Sequence, residues 1–291
     1  MRATAIEHPW LPRAPCDSRC IQAGHASPGP RAAVAVRALA RSAFLLLLLP
    51  VLPLLAVPLP GRSRFQRGCC RLLLRGLGIR ITLGGAPIRN LPGVLVVSGH
   101  VSWVDIFVIG SVIPGSFVAK AEMVGWPGLG IVARMMKVIP IDRASLRKLP
   151  GVVAVIADRL RAGKTVVAFP EATTWCGLAS GRFHPAMFQA AIDSGRPVQP
   201  LRLSYHHRDG ALSTAVAYVG NDTLSSSLLR IVAARRTIVD IGVGSLQLPG
   251  EDRRELAARC EAAVRGDGSR SALEAGSVQW HRPLACLPNS D

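Results

Sequence analysis

A histidine and an aspartate five positions apart, His100 and Asp105, close an apolar run in the segment VLVVSGHVSWVDIFVIG. A carboxylate that accepts a hydrogen bond from one imidazole nitrogen fixes the tautomer and raises the basicity of the other. That second nitrogen can then take a proton from a hydroxyl as the hydroxyl attacks a thioester. On one continuous helix, residues five apart point about 140° away from each other. The spacing therefore predicts that the residues between them turn into a helix, so that the two side chains meet across the turn. Taken alone the spacing is weak, because it also suits a buried histidine held by backbone groups.

Other residues with suitable chemistry follow in order. Arg143 comes after the apolar stretch Val138 to Pro140, and a guanidinium fork suits a phosphate dianion. Glu171 follows the apolar stretch Thr165 to Phe169, with Pro170 leading the chain out of a sheet. Its carboxylate can accept a hydrogen bond from a glycerol hydroxyl or orient a donor, while Thr173 and Thr174 offer hydroxyls and N–H groups to a phosphate.

With these residues the chain resembles the glycerolipid acyltransferase family that includes 1-acylglycerol-3-phosphate acyltransferases. Four blocks carry the resemblance: His100 to Asp105; Lys120, Glu122, Gly130 and Arg143; Phe169-Pro170-Glu171-Ala172-Thr173-Thr174; and Val198-Gln199-Pro200-Leu201. With their flanks they cover about residues 79 to 245. The resemblance implies catalysis by His100 and Asp105, and substrate binding by Arg143, Glu171, Thr173, Thr174 and Lys120. It implies an acyl thioester donor, acyl-CoA or acyl-carrier protein, as co-substrate without a resident cofactor. The acceptor it implies is a lysophospholipid, foremost 1-acylglycerol-3-phosphate, which becomes phosphatidic acid. Lyso-ornithine lipid and lysophosphatidylglycerol remain alternatives, as does a non-catalytic basic lipid-binding membrane protein. Two departures bear on the acceptor: Ala172 stands where the family usually has glycine, and Trp175-Cys176-Gly177 follows Thr174.

Positioning these residues requires an α/β domain. Alternating or apolar runs predict strands at 79–83, 94–98, 116–119, 138–140, 165–169, 198–203, 215–219 and 238–243. Helical patterns fill the gaps at 103–112, 125–136, 146–162, 185–193, 223–233 and 252–264. Strands separated by helices argue for a central mixed sheet flanked by helices, with a catalytic domain over 79–265 and a loose tail over 266–291.

Ahead of this domain the character differs. Residues 1–30 carry five prolines among small and polar residues, which predicts a disordered tail that neither sustains a helix nor buries a core. Residues 31–78 read as a membrane-anchoring helical segment. Its apolar run from Ala43 to Leu59 falls short of the roughly 20 residues of a clean span and is broken by Pro50, Pro53 and Pro58. A helix over Ala32 to Leu49 followed by a broken re-entrant piece is expected, with Arg37 and Arg41 reaching to headgroups. The stretch after it places Arg64, Arg67, Arg71 and Arg75 on one helical face, which suits an anionic membrane surface. The expected location is the cell membrane, with the catalytic domain facing the cytoplasm.

A net charge of +17 calls for an anionic partner. Nucleic acid is set aside, because two tyrosines among few aromatic residues give bases little to stack on and the apolar run would go unexplained. No G-x-S-x-G elbow accompanies Ser102, and no Gly-rich phosphate loop follows a strand, which disfavours a serine hydrolase and a nucleotide binder. Seven cysteines, an odd number in a long apolar chain, argue for a reducing compartment. Cys16 and Cys20 have no paired ligand cluster after them, and no metal site is expected.

Overall fold

The computed structural model describes residues 12–23, 30–50, 61–87, 91–121, 138–142 and 145–266. Strands β1 (Ile79–Gly85), β2 (Leu95–Ser98), β3 (Ser116–Lys120), β4 (Ile139–Ile141), β5 (Val166–Ala168), β6 (Val198–His206) and β7 (Thr237–Val243) form one sheet of order β1-β7-β6-β2-β5-β3-β4. All neighbours are parallel except β6 and β7, so the sheet is mixed and β1 and β7 run against the other five. The start of β1 therefore lies at the same edge as the end of β2.

The helices are α1 (Ser18–Ala23), α2 (Arg31–Leu48), α3 (Arg62–Gly76), α4 (Asp105–Gly110), α5 (Leu149–Arg161), α6 (Phe188–Ser194), α7 (Leu224–Ala233) and α8 (Arg253–Arg265). Strand β2 is buried along its whole length because both faces of the sheet are covered. Val96 packs into the layer of α1, α3, α4 and α7, while Leu95 and Val97 pack into the layer of α5, α6 and α8.

Several expectations are corrected. Residues 215–219 form a turn, not a strand. The Arg230 guanidinium takes the Ala215 and Ala217 carbonyls, and the Tyr218 N–H donates to the Val101 carbonyl, so side chain and loop satisfy groups that a ladder would otherwise pair. The N-terminal segment is not wholly a loose tail: α1 forms, and Cys16, Cys20 and Ile21 are buried in the core, with the Thr214 hydroxyl donating to the Ile21 carbonyl. Proline spacing argued against a core role, but the stretch from Cys16 to Ala23 contains no proline. The helix expected at 125–136, the run 51–60 and the tail beyond Gly266 lie outside the described residues.

Helix α2 matches its expected span, yet its arginines do not reach away from the protein. Arg41 donates to the carbonyls of Ile231, Val232 and Ala234, and Arg37 donates twice to that of Ala233. Both guanidinium groups thus cap the C-terminal end of α7, where the helix dipole favours a cation. Gly78, at φ +77°, gives the Arg41 guanidinium room, because a Cβ there would lie 1.9 Å from its Nη2. Among the described residues no helix is long and apolar enough to cross a membrane.

Candidate active site

The chain leaves β2 at Ser98, turns through Gly99, and presents His100 at the carboxyl edge of the sheet. Residues 102–104 turn, and Asp105 is the first residue of α4. His100 Nδ1 lies 2.9 Å from Asp105 Oδ2. The same oxygen accepts the N–H groups of Val101 (2.7 Å) and Ser102 (2.9 Å), and Oδ1 accepts the Tyr205 hydroxyl at 2.5 Å. Asp105 is fully buried, whereas the His100 side chain keeps 15% of its surface. These donors hold the buried carboxyl group in one orientation. With Nδ1 donating to Asp105, the proton-free nitrogen is Nε2, which has no partner among the described residues. Phe169 stacks on the imidazole at 4.0 Å between ring centroids and 14° between planes, which fixes the ring's tilt.

Glu171 engages the protein's own backbone with both carboxylate oxygens. It is only 3% exposed, and its two oxygens accept the N–H groups of His100 (2.7 Å) and Gly181 (2.9 Å). It therefore braces the backbone of the histidine loop. Burial pushes its carboxyl up to about 7; the two N–H donors and Arg265 pull the other way, while the Asp105 charge adds to the rise. The loop after it is tied back as well: the Trp175 N–H donates to the His100 carbonyl at 2.7 Å, and the Thr174 hydroxyl donates to the Tyr218 carbonyl. Gly181 has no room for a side chain, since a Cβ there would lie 2.5 Å from Trp175 Nε1.

Of the expected site residues, the structure brings together His100, Asp105 and Glu171. Thr174 is engaged by the protein, and Thr173 is half-buried on the same loop. Lys120 ends β3, two strands from β2 and parallel to it, so it stands at the same edge. Arg143, Glu122 and Gly130 lie outside the described residues. Sequence reasoning missed Tyr205, Phe169 as a stacking partner, and Gly181. Phe169 opens the third block, but nothing in the block's spacing marks it as a partner of the imidazole. Tyr205 is 100 residues from Asp105 and nothing local marks it.

Two further features surround this edge. A cavity of about 850 Å³ opens at the start of β1, lined by Arg41, Arg71, Arg75, Arg80 and Arg236 over an apolar floor that includes Leu74. Among the described residues none of these arginines pairs with a carboxylate. In addition, Cys176 joins Cys16 and Cys20, and the three sulfur atoms lie within 4.8 Å of one another. The sequence offered no third ligand for that pair because Cys176 arrives from 156 residues away on the loop after Glu171.

The profile of the Acyltransferase family matches residues 80–204. A 1-acyl-sn-glycerol-3-phosphate acyltransferase of Neisseria meningitidis is 35% identical over 207 residues, covering 70% of this chain and 81% of that protein. A lyso-ornithine lipid O-acyltransferase of Pseudomonas aeruginosa is 33% identical over 207 residues, covering 71% and 79%. The crystal structure of the 1-acyl-sn-glycerophosphate acyltransferase of Thermotoga maritima shares the fold, with a TM-score of 0.53 at 18% identity over 83% of this chain and all of the other.

Proposed function

We propose a specific reaction and setting for this chain, which belongs to the acyltransferase family and is a lysolipid acyltransferase of lipid metabolism: it acylates 1-acylglycerol-3-phosphate, with His100 as general base. The observation that carries the mechanism is the His100–Asp105 pair, whose Nδ1 side is saturated while Nε2 is left to face a substrate. The acceptor hydroxyl gives its proton to Nε2 as its oxygen attacks the thioester carbonyl. The tetrahedral intermediate collapses, the C–S bond breaks, and the departing thiolate takes the proton back from Nε2. No acyl-enzyme forms. Asp105 steadies the imidazolium, and Glu171 holds the loop that carries it.

Phosphate recognition falls to Arg143, Lys120 and Thr173. The split of relatives between phosphate-bearing and ornithine-bearing acceptors, at 35% and 33% identity, makes lyso-ornithine lipid the second reading. The donor is acyl-CoA or acyl-carrier protein. Residues 31–78 dock the domain on the cytoplasmic face of the cell membrane. Supporting this, α2 exposes Val36, Leu39, Leu46 and Leu47, and the arginine-lined cavity beside it suits anionic headgroups.

The deciding experiment measures turnover of both lysolipids by wild type, His100→Ala and Arg143→Lys. His100→Ala is expected to lose about 10²-fold to 10⁴-fold in kcat. Arg143→Lys is expected to raise KM for 1-acylglycerol-3-phosphate, because lysine keeps the charge and loses the fork. Turnover of lyso-ornithine lipid alone would reassign the acceptor, and a covalent acyl-enzyme trapped during turnover would overturn the general-base mechanism.

A further inference from the structure

Three cysteines from two distant parts of the chain converge beside the active-site loop. Cys16 and Cys20 lie four residues apart, before and on α1, and Cys176 follows the Trp175 that holds the His100 carbonyl. All three are at most 4% exposed, their sulfur atoms lie within 4.8 Å of one another, and the Cys16 and Cys176 thiols share a hydrogen bond. Their approach is held by the surroundings. The Thr214 hydroxyl anchors the end of α1 at the Ile21 carbonyl.

A buried cysteine usually serves as a small apolar side chain. Cys260 does so in the opposite layer, with burial pushing its thiol up to about 12 and no second sulfur beside it among the described residues. Three sulfur atoms meeting at one point is a different arrangement. A disulfide uses two of them and strands the third. A single soft cation uses all three.

We propose that Cys16, Cys20 and Cys176 bind one thiophilic divalent metal ion, zinc by their chemistry, and that the ion pins the N-terminal segment to the active-site loop. Zinc takes thiolates at about 2.3 Å in a tetrahedral arrangement, which sets sulfur atoms about 3.8 Å apart. From 4.8 Å or less, that is reached by small side-chain rotations. Binding replaces three S–H bonds with three Zn–S bonds and releases three protons. Among the described residues no fourth histidine, cysteine or carboxylate joins the group, which leaves the fourth position open to a water. The ion has no part in acyl transfer. It acts on the loop through the Trp175 N–H, and this inference stands independently of which lysolipid is the acceptor.

The test uses the full chain, purified in detergent without chelator, and reads metal rather than activity. Elemental analysis is expected to find about one zinc per chain, and cobalt exchanged for zinc is expected to give an intense thiolate-to-cobalt charge-transfer band typical of a tetrahedral thiolate site. Cys20→Ser and Cys176→Ser should lose the band, while Cys69→Ser, on α3 outside the group, should keep it. Should the cluster variants fail to fold, the wild-type cobalt spectrum still decides. A fully reduced chain that binds no stoichiometric zinc and gives no cobalt band would overturn the proposal and leave the three cysteines as core packing. A non-reducing mass spectrum linking the Cys16 or Cys20 peptide to that of Cys176 would overturn it in favour of a disulfide.

Discussion

Ala172 adopts φ +56°, the one positive φ at a non-glycine residue among those described. It sits where the chain turns back on itself after Phe169, whose carbonyl accepts the Ala172 N–H. The left-handed conformation costs an L-residue about 1–2 kcal/mol, and a glycine there gives back about 0.4–1 kcal/mol through the freer unfolded chain. Ala172→Gly is therefore expected to leave stability unchanged or raise it by about 1 kcal/mol, read from urea midpoints; a clear loss would mean that the methyl group packs productively. Next to it, Glu171 offers a pH signature. Its carboxyl rises from 4.5 to about 7 on folding, so the folded state holds the proton more tightly. That contribution is fully present below pH 4.5 and fades as the pH climbs through about 7. Measured against Glu171→Gln, wild type is expected to gain relative stability on going from pH 8 to pH 5, by up to about 3 kcal/mol. Parallel profiles for the two proteins would show that Glu171 is ionised in both states.

At the scale of elements, α2 and α7 are joined by charge as much as by packing. Arg41 alone satisfies three carbonyls at the end of α7, and these are groups a helix leaves unpaired by geometry. Arg41→Ala is expected to cost about 1.5–3 kcal/mol, the range for hydrogen bonds to a charged group. Arg41→Lys should recover part of this, because one ammonium cannot span the same fan of acceptors. Equal stability of all three proteins in thermal unfolding would show that water caps α7 instead. The same contacts bear on truncation. Removing residues 31–78 takes away the cap of α7 along with the exposed leucines, so loss of membrane binding in such a variant would not separate anchoring from folding.

For the whole molecule, point substitutions make that separation. Leu46 and Leu47 are 64% and 75% exposed and touch no core, so replacing both with serine spares the fold. If α2 lies in the lipid interface, each loss should weaken partition to vesicles of anionic phospholipid by roughly 10-fold or more, from the transfer energy of a leucine side chain. Raising the salt should weaken what remains, because the arginine contribution is screened. Undiminished sedimentation of the double variant in high salt would place the anchor elsewhere.

What could be read along the chain was local in origin. Strand and helix periods, the apolar run and the ordered blocks follow from neighbours in sequence, and they delivered seven of the strands, the α/β class, and His100 with Asp105 across one turn. Misreadings arose where distant groups competed with local pattern. The apolar run at 215–219 became a turn because Arg230 took its carbonyls, and Arg37 and Arg41 turned inward because α7 ended beside them. Tyr205 on Asp105, Gly181 beneath Glu171, and Cys176 against Cys16 and Cys20 are each contacts across a sheet or between loops. Such contacts depend on strand order and on which chain end lies at which edge, and neither is encoded in the spacing of residues along one segment.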